Sequence, residues 1–298
     1  EKLRALRPDL ICARVMGWAD GGPAVDYTVN SAVGVPLMNG FPGEPRPVNN
    51  VLPAWDLLTG AYAAFALVSA LHARQRDGNG REIRIPLSDI AGSTMANLGY
   101  LAESLAGEDR PRMGNDLFGA FGRDFQLRGG RRIMLVAITP RQWKGLTEVR
   151  EIPAEVAALE AELCVGFGAD EGARFEHRDR LFPIFEAAFA RKSLNDLQPA
   201  FDREGVCWGP YQPMSAAAKD PRLVAGNPVF SDTSQPSGRT YPVPGFAGTI
   251  PQEVRQPARP ASRLGQHTDE VLSAVLGLGD AEIARLHDAG VVAGPEGR

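Results

Sequence analysis

The chain has 298 residues, 44% hydrophobic and 23% charged, enough to bury a substantial core in one large or two smaller domains. A net charge of -4 and a pI near 5.7 supply no general attraction to phosphate backbones or anionic lipid, so neither nucleic acid nor a membrane surface is an expected partner. Cys12, Cys164 and Cys207 are odd in number, far apart and in no CxxC spacing. They predict neither a disulfide framework nor a thiolate metal site, and fit a reduced, cytoplasmic compartment.

The chain opens Glu1-Lys2-Leu3-Arg4, without an initiator Met, and passes through Arg7-Pro8-Asp9 into Leu10–Val15, a short and partly β-branched run that reads as a buried strand. Such an opening reads as a chain entered mid-domain, lacking its natural amino terminus. Gly17 and Gly21-Gly22-Pro23 end the strand in a loop. Residues 34–53, with Asn39-Gly40, Pro42-Gly43 and Asn49-Asn50, read as irregular backbone. Pro53 then sits where proline is tolerated at a helix start, and an Ala/Leu/Phe-rich helix is predicted over Ala54–Arg74. Its uncharged stretch, Leu57–Leu71, is shorter than the ~20 residues needed to cross a bilayer and reads as a buried helix. A turn at Asp77-Gly78-Asn79-Gly80, a strand over Glu82–Leu87 and a helix over Ile90–Leu105, capped by Ser88 or Asp89, follow.

The polar stretch from Gly107 to Asn115 looks like a linker, and the phenylalanine-bearing segment from Phe118 starts a different composition. The expected organisation is a large domain over 1–106, a linker over 107–117, a smaller domain over 118–225, a second linker over 226–260 and a C-terminal segment over 261–298. In the smaller domain Arg132–Ile138 reads as a central strand, and Pro153–Leu163, Arg178–Ala190 and Leu194–Glu204 as amphipathic helices. The proline-rich 226–260 stretch reads as extended chain wrapped over a surface. Two short helices end the chain, Thr268–Leu276 and Asp280–Ala289, with Asp280 as an N-cap and Gly290 as a C-cap.

No HExxH, GxSxG, P-loop, strand-linked GxGxxG or acidic metal loop is present, and His72, His177, His267 and His287 are scattered as surface or capping residues would be. No metal and no permanently bound cofactor is expected. Asp56 lies in the first turn of the apolar helix, where the amide dipoles favour an anion. Two readings stand side by side: a cap satisfying free amides, or an ionised carboxylate available as a nucleophile.

Three segments bear on that choice: Arg74–Asp89; Gly205-Val206-Cys207-Trp208-Gly209-Pro210 with Asp220-Pro221; and Arg263-Leu264-Gly265-Gln266-His267-Thr268-Asp269-Glu270-Val271-Leu272. In order and spacing, over essentially the whole chain, they resemble the class III coenzyme A transferases. The resemblance implies that Asp56 attacks an acyl thioester and then carries CoA as an aspartyl thioester, so that a CoA thioester is the substrate. It also implies an α/β fold, a Rossmann-like large domain, here without its N-terminal part, plus a small α+β domain on long linkers. The C-terminal segment would return to the large domain, and two subunits would interlock as a homodimer. The racemase branch of the family places a histidine in a Gly-His-Asp run; here that run is Ala24-Val25-Asp26, and valine cannot act as a base.

Asp26–Asn30, Pro47–Asp56, Gly114–Phe125 and Thr139-Pro140-Arg141-Gln142-Trp143 resemble more closely the 2-methylfumaryl-CoA isomerases, a branch that moves CoA between the two carboxyls of one unsaturated C5 dicarboxylate. Such a pocket needs cations or amide donors for the unreacted carboxylate. Arg46, Arg123 and Arg141 are candidates, each set against a plain surface role. Tyr27, Asn30, Gly40, Asn49 and Asn50 are candidates for donors or close backbone contact near Asp56, set against a loop role. Trp143 and Phe118–Phe125 are either pocket wall or core, and Cys207 has no base beside it in sequence. An intermolecular CoA transferase, and a non-catalytic fragment or partner subunit with an incomplete CoA site, remain as alternatives.

Overall fold

The computed structural model describes residues 5–149 and 152–295. The chain is mixed α/β, in two compact units, one up to Tyr211 and the other from Gln212.

Two parallel strands open the first unit, β1 (Cys12–Met16) and β2 (Glu82–Pro86), with Cys12 opposite Glu82 and Met16 opposite Pro86. Parallel pairing requires a long crossover. Here it is helical: α1 (Asp26–Ala32), the single turn α2 (Val35–Met38) and α3 (Ala54–Asp77). The expected strand over Leu10–Val15 thus lies about two residues later, and part of the stretch read as irregular is helical. Gly80 lets the chain re-enter beside β1, because a Cβ there would stand 2.2 Å from the carbonyl oxygen of Leu10.

Helix α3 runs 24 residues and stops at Gly78, whose left-handed φ of 71° closes the C-cap. Its expected burial is wrong. Only Trp55, Thr59 and Ala70 are buried, while Leu57, Phe65 and Val68 are 60%, 72% and 64% exposed. Alone among the described residues, this helix is long and apolar enough, by length and composition, to cross a membrane. The charge-free stretch underestimated it because helical residues flank that stretch on both sides.

The next expected helix is two, α4 (Leu87–Asn97) and α5 (Tyr100–Ala106), broken where Gly99 takes a φ of 84°. Pro86 occupies the N-cap of α4, so Ser88 and Asp89 lie inside its first turn rather than capping it. Val29, Trp55, Leu87, Ala91 and Met95 form the small core joining α1, α3 and α4. Beyond α5 the Arg110 guanidinium binds both oxygens of Glu103, at 2.6 and 2.7 Å, between the rings of Tyr100 and Phe118. Glu103 is held below the usual carboxylate range by that pairing.

The second core of this unit is aromatic. β3 (Phe121–Gln126), β4 (Arg132–Ala137) and β5 (Cys207–Pro210) form an antiparallel sheet with β4 central, as expected. Helices α6 (Pro140–Thr147), α7 (Pro153–Leu163), α8 (Glu171–Glu176), α9 (Arg178–Ala190) and α10 (Leu194–Glu204) complete it. Phe121, Phe125, Trp143, Phe167, Phe185, Phe189 and Phe201 are buried together. Each such ring contributes roughly 1.5–3 kcal/mol of transfer free energy, and Trp143, Phe121 and Phe125 are therefore core rather than pocket wall. Within the same core Arg174 is fully buried, with no acidic side chain bonded to it among the described residues. Its guanidinium donates to the carbonyls of Phe167 and Ile138 and lies over the Trp143 ring. Burial lowers its pKa, against the pull of Glu171 and Asp170.

The second unit contains a short turn α11 (Met214–Ala217), an antiparallel hairpin of β6 (Phe230–Ser234) and β7 (Thr240–Pro244), and helices α12 (Thr268–Leu276) and α13 (Asp280–Asp288). The hairpin corrects the expectation of wholly extended chain over 226–260. Proline donates no ladder hydrogen bond, and the prolines of β7 are accommodated in a two-stranded sheet with a free edge. Gly279, not Asp280, is the N-cap of α13, and Ala289 its C-cap, with Gly290 following at a φ of 65°.

Asp124 on β3 is nearly buried and links the sheet to the preceding segment, accepting from Asn115 at 3.0 Å and from the Arg132 guanidinium. Burial pushes its pKa up, but those two donors outweigh burial and hold it below the usual carboxylate value. A depressed folded pKa gives stability that is present above the unfolded pKa and lost as pH falls through the folded one. Asp124→Asn is therefore expected to lower stability by about 1–2 kcal/mol at pH 7 and by progressively less below pH 4. Urea titrations at several pH values check this.

Candidate active site

Helix α3 begins with a problem of its own making. Its N-cap is Pro53, which has no side-chain oxygen, yet the amides of the first turn need acceptors. Asp26, at the start of α1, supplies one from 30 residues upstream of Asp56: its Oδ2 accepts from the backbone N–H of Trp55 at 2.7 Å and of Asp56 at 3.3 Å. Asp26 is only 3% exposed. Capping is thus done by another acid. The Asp56 carboxylate is left exposed, with no side-chain hydrogen bond among the described residues.

Around this cap runs a chain of amides. The Trp55 indole donates to Asn30 Oδ1 at 3.1 Å, Asn30 donates to Asn49 at 3.4 Å, and Asn50 donates to Asn30 at 3.5 Å. Asn39 donates to Asn50 at 2.6 Å and to the Val48 carbonyl at 3.1 Å. The structure therefore brings Asn30, Asn49 and Asn50 together beside the residue preceding Asp56. Gly40 belongs to the same loop. Its φ of 94° requires glycine, and a Cβ there would press on Arg112 and Val48 at 3.0 Å. The segment after α5 holds this loop down, Arg112 donating to the Asn39 carbonyl and Gly114 N–H to that of Gly40 at 2.9 Å.

The remaining candidates are placed elsewhere. Tyr27 is half-exposed on the first turn of α1 and enters no side-chain hydrogen bond of this network. Arg46 points outward, its side chain 87% exposed and 3.9 Å from Glu44. Arg123 is engaged in the aromatic core, 3.4 Å from both Asp116 and Glu186 and over the Phe182 ring. Arg141 is exposed on the first turn of α6. Cys207 accepts from the Gln142 amide at 3.0 Å. Sequence reasoning missed Asp26 as the cap; the signal was Pro53, whose place at the N-cap demands an acceptor from elsewhere.

A cavity of about 590 Å³ opens at the C-terminal end of β1, lined among others by Arg14, Met16, Gly22 and, on α1, Val25 and Thr28, the neighbours of Asp26 and Tyr27. The C-terminal ends of parallel strands are where open α/β sheets bind ligands. Gly17 shapes its floor: a Cβ there would lie 2.4 Å from the Ala24 amide. No group of three or more metal-ligating side chains occurs among the described residues.

Known proteins carry the same pattern. The chain is 41% identical to a 2-methylfumaryl-CoA isomerase of Chloroflexus aurantiacus over 298 residues, 99% of this chain and 73% of the relative. It is 26% identical to a formyl-CoA:oxalate CoA-transferase of Rhodopseudomonas palustris over 324 aligned positions, with the same coverage. Among solved structures, a CAIB/BAIF family protein from Brucella suis superposes with a TM-score of 0.70 at 21% identity, covering 91% of this chain and 69% of the other. The family model described as CoA-transferase family III matches residues 1–268, and the chain belongs to that family.

Proposed function

We propose that this CoA-transferase moves CoA between the two carboxyls of one unsaturated C5 dicarboxylate, converting 2-methylfumaryl-CoA to 3-methylfumaryl-CoA, with Asp56 as nucleophile. The observation that carries the assignment is the cap: Asp26 takes the first-turn amides of α3, so Asp56 is not consumed by them. The identity to the Chloroflexus isomerase supports the substrate.

The steps balance as follows. The Asp56 carboxylate attacks the C1 thioester carbonyl, forming a mixed anhydride and releasing CoA thiolate. The thiolate attacks the aspartyl carbonyl, giving an aspartyl-CoA thioester and the free dicarboxylate. That diacid turns end over end, its C4 carboxylate attacks the aspartyl thioester, and the released thiolate attacks C4, freeing Asp56. Holding the diacid in the pocket removes the need for an external acceptor. The cavity at the end of β1 is the proposed seat of part of the CoA thioester. We place the enzyme in the cytoplasm, consistent with three free cysteines. The exposed apolar stripe of α3 is proposed to lie against a second copy, in an interlocked homodimer.

Incubation with mesaconyl-C1-CoA alone should yield the C4 isomer. Strict dependence on a second acid would instead mean intermolecular transfer. Hydroxylamine should trap the enzyme thioester in the wild type and not in Asp56→Ala; an undiminished adduct would remove Asp56 from the mechanism.

Asp26→Ala is expected to lower kcat at least about 10-fold with little change in KM, and to lower stability by about 0.5–2 kcal/mol, as loss of a cap does. Asp26→Asn keeps an acceptor oxygen and should recover part of kcat. Sedimentation should show a dimer, and Phe65→Asp should lower its thermal stability.

A further inference from the structure

One donor sets the direction of the whole asparagine network. The Trp55 Nε1–H can only donate, so the Asn30 atom facing it at 3.1 Å is the carbonyl oxygen. The Asn30 amide nitrogen must then face Asn49, which answers with its own oxygen at 3.4 Å. Because that oxygen accepts from Asn30, the NH2 group of Asn49, an exposed residue, is left without a protein acceptor among the described residues. Its backbone is also fixed. The preceding Val48 is held at both ends, its carbonyl by Asn39 at 3.1 Å and its N–H by the Pro36 carbonyl at 2.9 Å. Asn49 therefore carries a pair of neutral donors left free by the described residues, attached to the same Asn30 that holds the residue before Asp56.

We infer that Asn49 Nδ2 holds the unreacted carboxylate of the substrate, and that this neutral donor, not an arginine, makes the end-over-end turn possible. The inference rests on the reading of the enzyme as an intramolecular CoA transferase. Of the expected arginines, Arg123 is engaged by two carboxylates and a ring, Arg46 points to solvent beside Glu44, and Arg141 is exposed on the first turn of α6, outside the hydrogen-bond network around Asp26 and Trp55. The chemistry favours the amide as well. In each turnover the distal carboxylate is released and the other one seated in its place. A bidentate arginine would hold the free diacid by two charge-assisted bonds and oppose that exchange. One amide group retains the diacid while letting it go locally.

The test follows isomerisation of mesaconyl-C1-CoA in the presence of isotopically labelled 2-methylfumarate. In the wild type the C4 isomer should form with little label, because the diacid turns without leaving. Asn49→Ala and Asn49→Asp, the second of which keeps the acceptor for Asn30 but loses both donors, should lose about 10- to 100-fold in isomerisation, the scale of one hydrogen bond to a charged group. Label should enter their CoA product as the diacid escapes, while hydroxylamine still traps the Asp56 thioester. A merely structural role would slow trapping and isomerisation together and leave the label ratio unchanged, which overturns the inference. Wild-type rate and label in a folded Asn49→Ala overturn it too, with the functional reading intact. A wild type that forms no C4 isomer without added acid overturns both.

Discussion

A long apolar helix that starts at a proline cannot cap itself, and much of this site follows from how that deficit is met. Pro53 gives α3 a pre-set backbone angle and no acceptor, so the amides of Trp55 and Asp56 fall to a buried carboxylate from α1. That bond fixes the register between the two helices. It also places two acids at one helix end with separate tasks, Asp26 inside the fold and Asp56 facing out. The Trp55 ring, locked by its packing and by Asn30, carries the same constraint into the loop from Asn39 to Asn50.

Elements with a strong local pattern were legible in the sequence. α7, α9 and α10 begin and end where the sequence placed them as amphipathic helices, and Pro153 at the start of α7 and Ser193 and Gly205 at the ends of α10 act within a turn of where they stand. What failed was tertiary. Nothing in the Ala/Leu/Phe run of α3 tells whether a neighbour covers it, since apolar residues are needed equally for a core and for a contact surface. The hairpin of β6 and β7 was hidden because its prolines mimic a linker. Of the candidates for the site, the structure brings Asn30, Asn49 and Asn50 together, while Arg46, Arg123 and Arg141 are placed elsewhere. A carboxylate pocket suggests arginine by chemistry alone, but the ion pairs that already occupy Arg123 exist only once β3 and α9 are brought together.

By the resemblance read from the sequence, the racemising branch of the family places a histidine where this chain has Val25. Val25 stands at the N-cap of α1, exposed, immediately before Asp26. An imidazole there would sit next to the same cap that holds the start of α3. With valine there, no side-chain base stands next to that cap, in keeping with the proposal that Asp56 acts as a nucleophile.

The buried guanidinium of Arg174 has a consequence for behaviour on heating. An ion taken out of water and answered by two carbonyls, a ring and the pull of Glu171 and Asp170 carries a desolvation cost at room temperature. The hydration such a group forgoes becomes less favourable as temperature rises, so the cost shrinks while hydrophobic stabilisation levels off. The aromatic core around α8 therefore gains relative ground in the upper part of its temperature range. The charge buried among the phenylalanines thus weighs least against the fold when the chain is warm.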